Sequence, residues 1–330
     1  MDIERTPQTP PIINPLSDAD SRIIWSVMIP VYNCINYLRE TLESVLQQAF
    51  PEEVMQIMVI DDCSTDGNVA ELVQTVGNGR IDYFKKDKNG GSLRNFESCI
   101  NKARGKYVHI LHGDDKISPG FYAEMERLYN EYPQVGACFS NYDFIDQNSR
   151  QVDTTEVLQK ASGIVANWLD KIACKNLIQP PAIVVKREVY EHLGSFFGVH
   201  YGEDWEMWVR IASHYSVAYS PKLLAHYRIH TTNITTNSIL SGKNVKDIQK
   251  VINIISNYLP ENKRRKLRNE ASKNFAAYFA ALSHRIYHEH GQPKAALMQA
   301  YLATRMYMSG TTVKEMGKIV IKCLINYRRA

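Results

Sequence analysis

"YVHILHGDDKISPG", residues 107–120, decides the fold. Tyr107 to Leu111 is an apolar run interrupted only by His109, the mark of a strand covered on both faces. It stops on His112, a glycine and two adjacent carboxylates, Asp114 and Asp115, after which a Ser-Pro pair opens a helix. The same pattern holds upstream. "WSVMIPVYN" (25–33) is a short buried strand ending in Asn33, and "QIMVIDD" (56–62) is a second ending in Asp61 and Asp62. Between them Leu38, Leu42, Val45, Leu46 and Ala49 recur at helical spacing. A helix at 68–76, a strand at 80–86, a helix N-capped by Ser92 and stopped by Gly105, a helix at 119–132 and a strand at 135–140 follow. Strands alternating with helices of this length imply an α/β fold with right-handed crossovers and a mostly parallel central sheet.

After Ser140 the rhythm loosens. The sequence predicts a polar loop over 146–162, a helix near 164–174, a strand at "AIVVK" (182–186) and a short helix over 187–193. A helix beginning in "GEDWEMWVRIA" (202–212) and a strand over 217–229 come next, and 243–330 reads as nearly all helix. The expected division is a flexible lead over 1–21, a catalytic domain over 22–240 and a basic helical region over 241–330.

Of the 330 residues, 44% are hydrophobic and 22% charged, the composition of a globular protein. No stretch approaches the ~18 consecutive apolar residues of a membrane span. The proline-rich, acidic opening has neither the basic nor the apolar region of a signal peptide. Six scattered cysteines without a C-x-x-C pair argue against structural zinc or a disulfide framework and suit a cytoplasmic setting. The net charge of +4 hides an asymmetry: residues 241–330 hold 17 Lys/Arg against 5 Asp/Glu, and the rest holds 22 against 30.

In an open parallel sheet, ligands bind beyond the carboxyl ends of the strands. Three strands here end at that edge in Asn33, Asp61-Asp62 and Asp114-Asp115. Each taken singly is an ordinary turn or cap residue. Together they are like charges that repel unless a cation or a set of donors neutralises them, and a divalent metal on a diphosphate would do so.

"SVMIPVYN", "IMVIDDCSTDG", "NGGSLRNFESCINKARGKYVHILHGDD" and "GEDWEMWVRIA", in that order, resemble the successive motifs of the family 2 glycosyltransferases over residues 26 to about 230. The resemblance implies a GT-A type α/β/α sandwich and an inverting transfer of a sugar from a nucleotide donor, by preference a UDP-sugar, to a glycan or lipid-linked oligosaccharide. By position it implies a nucleotide pocket of Pro30, Val31, Tyr32, Asn33, Arg94, Gly113 and Asp114, with Asp62 accepting a hydrogen bond from the base. It makes Asp114 a ligand of Mn²⁺ or Mg²⁺ between the donor phosphates, with His230 a candidate further ligand, Arg228 a candidate diphosphate partner and Asp115 behind the metal. His112 is a departure, because the family usually has Asp there. An inverting displacement needs a carboxylate opposite the leaving group, and the resemblance gives that role to Asp204, with Glu203 orienting it or the acceptor. Trp205 and Trp208, three apart, suit either sugar stacking or core packing.

In the basic region Val313, Met316, Val320, Cys323, Leu324 and Tyr327 form an apolar stripe flanked by Lys314, Lys318, Lys322, Arg328 and Arg329. Such a helix suits the inner, anionic face of a membrane, a homodimer contact or packing on the catalytic domain. No motif for nucleic acid accompanies the charge. Two other functions fit the pattern less well. A nucleotidyltransferase needs a basic glycine-rich loop after the first strand, which "IPVYNCINYL" is not, and a catalytically silent sugar-nucleotide-binding or assembly protein is hinted at by His112 alone.

Overall fold

Residues 25–31 are buried without a break, because the strand they form lies inside a sheet between two other strands. The computed structural model describes residues 4–16, 23–230 and 234–325. In chain order its elements are β1 (Ile23–Val31), α1 (Ile35–Leu46), β2 (Met55–Asp61), α2 (Val69–Gly77), β3 (Asp82–Lys85), α3 (Ser92–Lys102), β4 (Gly105–Ile110) and β5 (Lys116–Ile117). There follow α4 (Phe121–Glu131), β6 (Ala137–Ile145), β7 (Gln151–Thr154), β8 (Gly163–Ile164), α5 (Trp168–Ile172), β9 (Ile183–Lys186), α6 (Arg187–Leu193), α7 (Glu203–Ala212) and β10 (Val217–Arg228). The chain then turns helical: α8 (Ile234–Leu240), α9 (Lys243–Ser256), α10 (Glu261–His288), α11 (Pro293–Met306) and α12 (Gly310–Leu324).

Among the described residues the sheet runs β3-β2-β1-β4-β9-β6-β10-β5, with β7 beside β6 and β8 beside β10. The β3-β2-β1-β4 block is parallel, as is β6-β10, and β9 joins the two blocks by pairing antiparallel to β4 and β6. This mixed α/β sheet with a helical C-terminal region is the fold expected from the alternating pattern. Four elements escape that pattern: β7 is exposed along its whole length and so lacks an apolar signature, β5 and β8 have only two residues each, and α8 lies in a stretch given no element. The α3 start also differs, because Gly91 at φ +85° is the N-cap and Ser92 is already helical.

The chain divides into two compact units at places other than residue 240. The first comprises Met1–Trp168, Ile178–Gly198 and His214–Ile229, and the second Leu169–Leu177, Val199–Ser213 and His230–Ala330. In the first unit α3 packs on β1, β2 and β4, while α4 packs on β6 and β10. The lead expected to be flexible is tied down over residues 4–16. Ser195 and Gly198 donate their N–H groups to the carbonyls of Pro11 and Pro7, Arg187 reaches Asn14, and Ile13 is buried. Its prolines lack N–H groups, but their carbonyls still accept hydrogen bonds from another part of the unit.

The second unit is built around α7, of whose ten residues seven are buried, the behaviour of a helix enclosed on several sides. Within this unit the Trp205 ring packs against Phe275 of α10, centroids 4.5 Å apart and tilted at 44°, and donates its indole N–H to the Ile172 carbonyl. It is a core residue, which leaves it no face for a sugar. Trp208 is buried as well. No helix among the described residues is long and apolar enough to cross a membrane.

Glu124 joins α4 to β10 in the first unit, accepting hydrogen bonds from Ser220 Oγ at 2.8 Å, Lys222 Nζ at 2.7 Å and Arg127 Nη2 at 2.8 Å. Burial alone would raise its carboxyl, but the bonds from Arg127, Lys222 and Ser220 outweigh this and hold it at about 2. A depressed folded value adds stability above the unfolded value, and the gain fades as pH falls through the folded one. Glu124→Ala is therefore expected to cost about 2 kcal/mol at neutral pH. That difference should close between the ordinary 4.5 and about 2, read as urea midpoints across pH. A gap that persists at the acid end would place the loss in packing instead.

Candidate active site

The strand order reverses at β1: β2 lies on one side and β4 on the other. The carboxyl ends of β1 and β4 therefore border the crevice where open α/β sheets bind ligands. Gly113 sits in this crevice, its N–H donated to the Pro30 carbonyl at 3.2 Å. A Cβ there would meet Val31 Cγ2 and Cys34 Sγ at 2.9 Å, so the close approach of the two strand ends requires glycine. Pro30 and Val31 are buried, whereas Tyr32 is 50% exposed beside them. Asn33 adopts a left-handed turn at φ +51°. Its side-chain oxygen accepts from the Thr65 N–H at 2.8 Å, joining the end of β1 to the loop after β2.

That loop is strongly organised. Asp66 accepts the Ile35 N–H at 2.9 Å, placing an anion at the start of α1, where the helix dipole favours it. Asp62 is buried, and its two oxygens accept the N–H groups of Gly90 and Gly91 at 2.9 and 2.8 Å and Lys86 Nζ at 2.6 Å. Within the chain the Asp62 carboxylate thus anchors the Gly90–Gly91 turn. Arg94, also expected at the nucleotide, donates to the Glu4 carbonyl at 2.9 Å and pairs with Glu97 at 2.7 Å.

His112, Asp114 and Asp115 form one group whose candidate ligand atoms lie within 4.8 Å of one another. Asp115 is fully buried. Its Oδ1 accepts the Arg228 N–H at 2.8 Å, while its Oδ2 has no hydrogen-bond partner and lies 4.0 Å from His112 Nδ1. Burial first, then the neighbouring Asp114, pushes the Asp115 carboxyl well above the usual range. Burial lowers the His112 imidazole, with Asp114 opposing, so the ring is neutral and able to ligate. Two carboxylates, a neutral imidazole and an orphaned buried oxygen fit a divalent cation.

Arg228 is not the diphosphate partner the sequence suggests. Its side chain is fully buried and donates to the carbonyls of Asp114 (2.7 Å) and Asp146 (3.0 Å), to Ser149 Oγ (2.9 Å) and to Glu40 (3.1 Å), with Tyr37 beneath the guanidinium. It fixes the acidic turn instead of facing a ligand. His226 is likewise engaged, by Asp143 and Ser118. His230 is buried in the second unit.

The second unit carries Glu203 and Asp204 at the N-terminus of α7. Asp204 Oδ2 accepts from Asn176 Nδ2 at 2.9 Å, and its Oδ1 accepts the Trp205 N–H at 2.7 Å. Burial raises both carboxyls. On Asp204 the Asn176 and backbone donors oppose it, whereas on Glu203 the charges of Asp204 and Asp247 reinforce it. Glu203 is thus raised well above the ordinary carboxyl range, while the donors on Asp204 favour its ionised form against burial. Paired carboxyls driven apart in this way divide acid and base roles between them. Sequence reasoning misses Asn176, which lies 28 positions from Asp204 with no motif around it, and treats His112 as a departure from the acidic motif, not as a member of its ligand group.

Residues 26–193 match the family model described as Glycosyl transferase family 2. A Mycobacterium tuberculosis relative, "Uncharacterized protein MT1568", is 26% identical over 69% of this chain and 74% of its own length. The "Putative teichuronic acid biosynthesis glycosyltransferase TuaG" of Bacillus subtilis is 24% identical over 66% of this chain and 84% of its own. Among solved structures, S. aureus TarS 1–349 in complex with UDP-GlcNAc aligns with a TM-score of 0.66 at 15% identity, covering 93% of each chain. The mannosyltransferase PcManGT of Pyrobaculum calidifontis, in complex with GDP-Man and Mn²⁺, aligns at 0.58 and 16% identity over 97% of this chain and 84% of its own. At these identities the structural likeness speaks for the fold.

Removing the Asn176 amide takes a donor from the Asp204 anion and leaves burial unopposed, so Asn176→Ala should move the Asp204 titration upward by about one pH unit. Carbon-13 NMR of the labelled Asp204 carboxyl reads the midpoint directly. A midpoint that stays in place would show that Asn176 does not tune this group.

Proposed function

The chain belongs to glycosyl transferase family 2, and on that premise we propose that it carries out an inverting transfer of a sugar from a UDP-sugar to a hydroxyl of a glycan or lipid-linked oligosaccharide. The group formed by His112, Asp114 and Asp115 supports this reading most directly, because two carboxylates and an imidazole at a strand-order reversal suit the metal diphosphate of a nucleotide sugar. Tyr32, half exposed at the end of β1, offers its ring to the base. Asn33 and the Gly90–Gly91 turn held by Asp62 shape the rest of the nucleotide pocket, with Arg94 at its edge. A divalent ion, Mn²⁺ or Mg²⁺, would neutralise the diphosphate as it departs. Asp114 and His112 would hold it, with Asp115 supplying its unpaired oxygen. His230 remains a candidate further ligand.

Asp204 takes the acceptor's proton. Its raised carboxyl suits a base, and the Asn176 and backbone donors on Asp204 favour the anion there. The likeness to TuaG, a putative teichuronic acid biosynthesis glycosyltransferase, favours a polysaccharide as acceptor, and the UDP-GlcNAc bound to TarS favours a uridine nucleotide as leaving group.

Asp204→Asn should lower transfer by a factor of ~10² to 10⁴ while UDP affinity stays within about twofold. Normal turnover in that variant would remove Asp204 from the base role. Asp114→Ala should weaken UDP binding at least about tenfold in the presence of Mn²⁺ and far less in EDTA. Calorimetric titration with and without the metal separates the two cases, and equal affinities under both conditions would remove Asp114 from the metal site.

A further inference from the structure

Helix α12 is fastened to the second unit by one narrow face. Of its fifteen residues only Thr312 and Ile319 are buried, and its start is closed by the reciprocal Ser309–Thr312 capping box. Away from that face Val313 is 46% exposed, Ile321 59% and Leu324 79%. At ~100° per residue these three fall within an arc of about 80°, with Lys314 and Lys318 on its flank. Met308 just before the helix and Ile325 just after it extend the apolar exposure to 78% and 64%. Lys322 is not part of this surface, because its ammonium lies 3.0 Å from His284 Nδ1 and 2.7 Å from His288 Nε2 on α10. Lys318, although exposed, pairs with Glu315 at 2.7 Å, so Lys314 carries the edge's unshared charge.

Scattered exposed Leu or Ile needs no explanation, but an apolar stripe aligned along a lysine edge does. We propose that this face of α12 is a docking surface for an anionic lipid bilayer, with the stripe entering the headgroup region and Lys314 and Lys318 meeting the lipid phosphates, Lys318 in exchange for Glu315. Charge decides the occupant. Residues 241–330 hold 17 Lys/Arg against 5 Asp/Glu. A symmetric dimer through α12 would set the same lysines of two copies against each other, whereas an anionic surface neutralises them. Nucleic acid would use the lysines and leave the apolar stripe in water. The inference stands apart from the transfer chemistry, since it rests on the exposure and charge of α12 alone.

Flotation of the full chain with vesicles tests it. Phosphatidylcholine vesicles containing about a third phosphatidylglycerol should carry the protein at least tenfold more strongly than pure phosphatidylcholine, and salt should weaken the binding. Ile321→Glu with Leu324→Glu should abolish flotation, and Lys314→Glu with Lys318→Glu should remove the preference for the anionic lipid. The exposure of all four positions favours retained folding, checked by circular dichroism. Flotation that is absent, indifferent to phosphatidylglycerol or undiminished in both variants would overturn the proposal. So would a wild-type dimer in sedimentation that Ile321→Glu with Leu324→Glu dissolves while vesicle binding is unchanged.

Discussion

The first unit depends on one buried cation. The Arg228 guanidinium lies at the end of β10 with no exposed surface and holds four oxygens, from the Asp114 and Asp146 carbonyls, Ser149 and Glu40. Its backbone N–H meets Asp115. An arginine stripped of water is costly unless its donors are filled, and here four of its five are. The Glu40 carboxyl is held below its ordinary value: burial would raise it, and Ser149, Arg228 and Lys116 outweigh burial. The acidic turn after β4 is therefore fixed from behind by a charge that never faces the crevice. That leaves the Asp115 Oδ2 atom, buried and without a hydrogen-bond partner, at the front of the turn beside Asp114.

This arrangement explains why the sequence reveals the sheet better than the site. Strands covered on both faces announce themselves as apolar runs, and their polar ends mark the ligand edge, so β1, β2, β4 and the position of Asp114 are legible along the chain. The role of a charged residue at such an edge is not, because it depends on which distant groups already occupy its donors or acceptors. Glu40 meets Arg228 across 188 positions, and Gly90 meets Asp62 across 28. A motif predicts that Arg228 and Asp62 stand near the ligand. It cannot predict that Arg228 is spent on the turn, or that Asp62 anchors the glycines. Trp205 makes the same point from the apolar side, since helical spacing suits both a sugar platform and a core residue, and the contact with Phe275, 70 positions away on α10, decides for the core.

The N-terminal lead fails for a related reason. Composition rich in proline and acid reads as unstructured because it lacks an apolar face. Ordering of residues 4–16 instead comes mainly from backbone carbonyls, with Pro7 and Ile13 buried and an anchor at Arg187. Carbonyl acceptors are present at every residue and leave no trace in composition. A segment held in this way becomes visible only when its donors are seen, and those of Ser195 and Gly198 lie far along the chain.

The charge split of the chain follows from what each part must meet. The crevice of the first unit gathers carboxylates around a place for a cation, and buried acids there carry raised or orphaned groups that water would otherwise satisfy. The Glu203–Asp204 pair follows a different rule, since burial raises both carboxyls and the Asp204 charge raises Glu203 further, with Lys243 opposing more weakly. The amide of Asn176 favours the ionised form of Asp204 by donating to it. A neutral amide leaves the Asp204 carboxyl raised, whereas a lysine in the same place would lower it. The basic excess is instead kept to the last quarter of the chain, on the helices of the second unit. There it can act on a surface ligand without holding the Asp204 carboxyl in its weakly basic range.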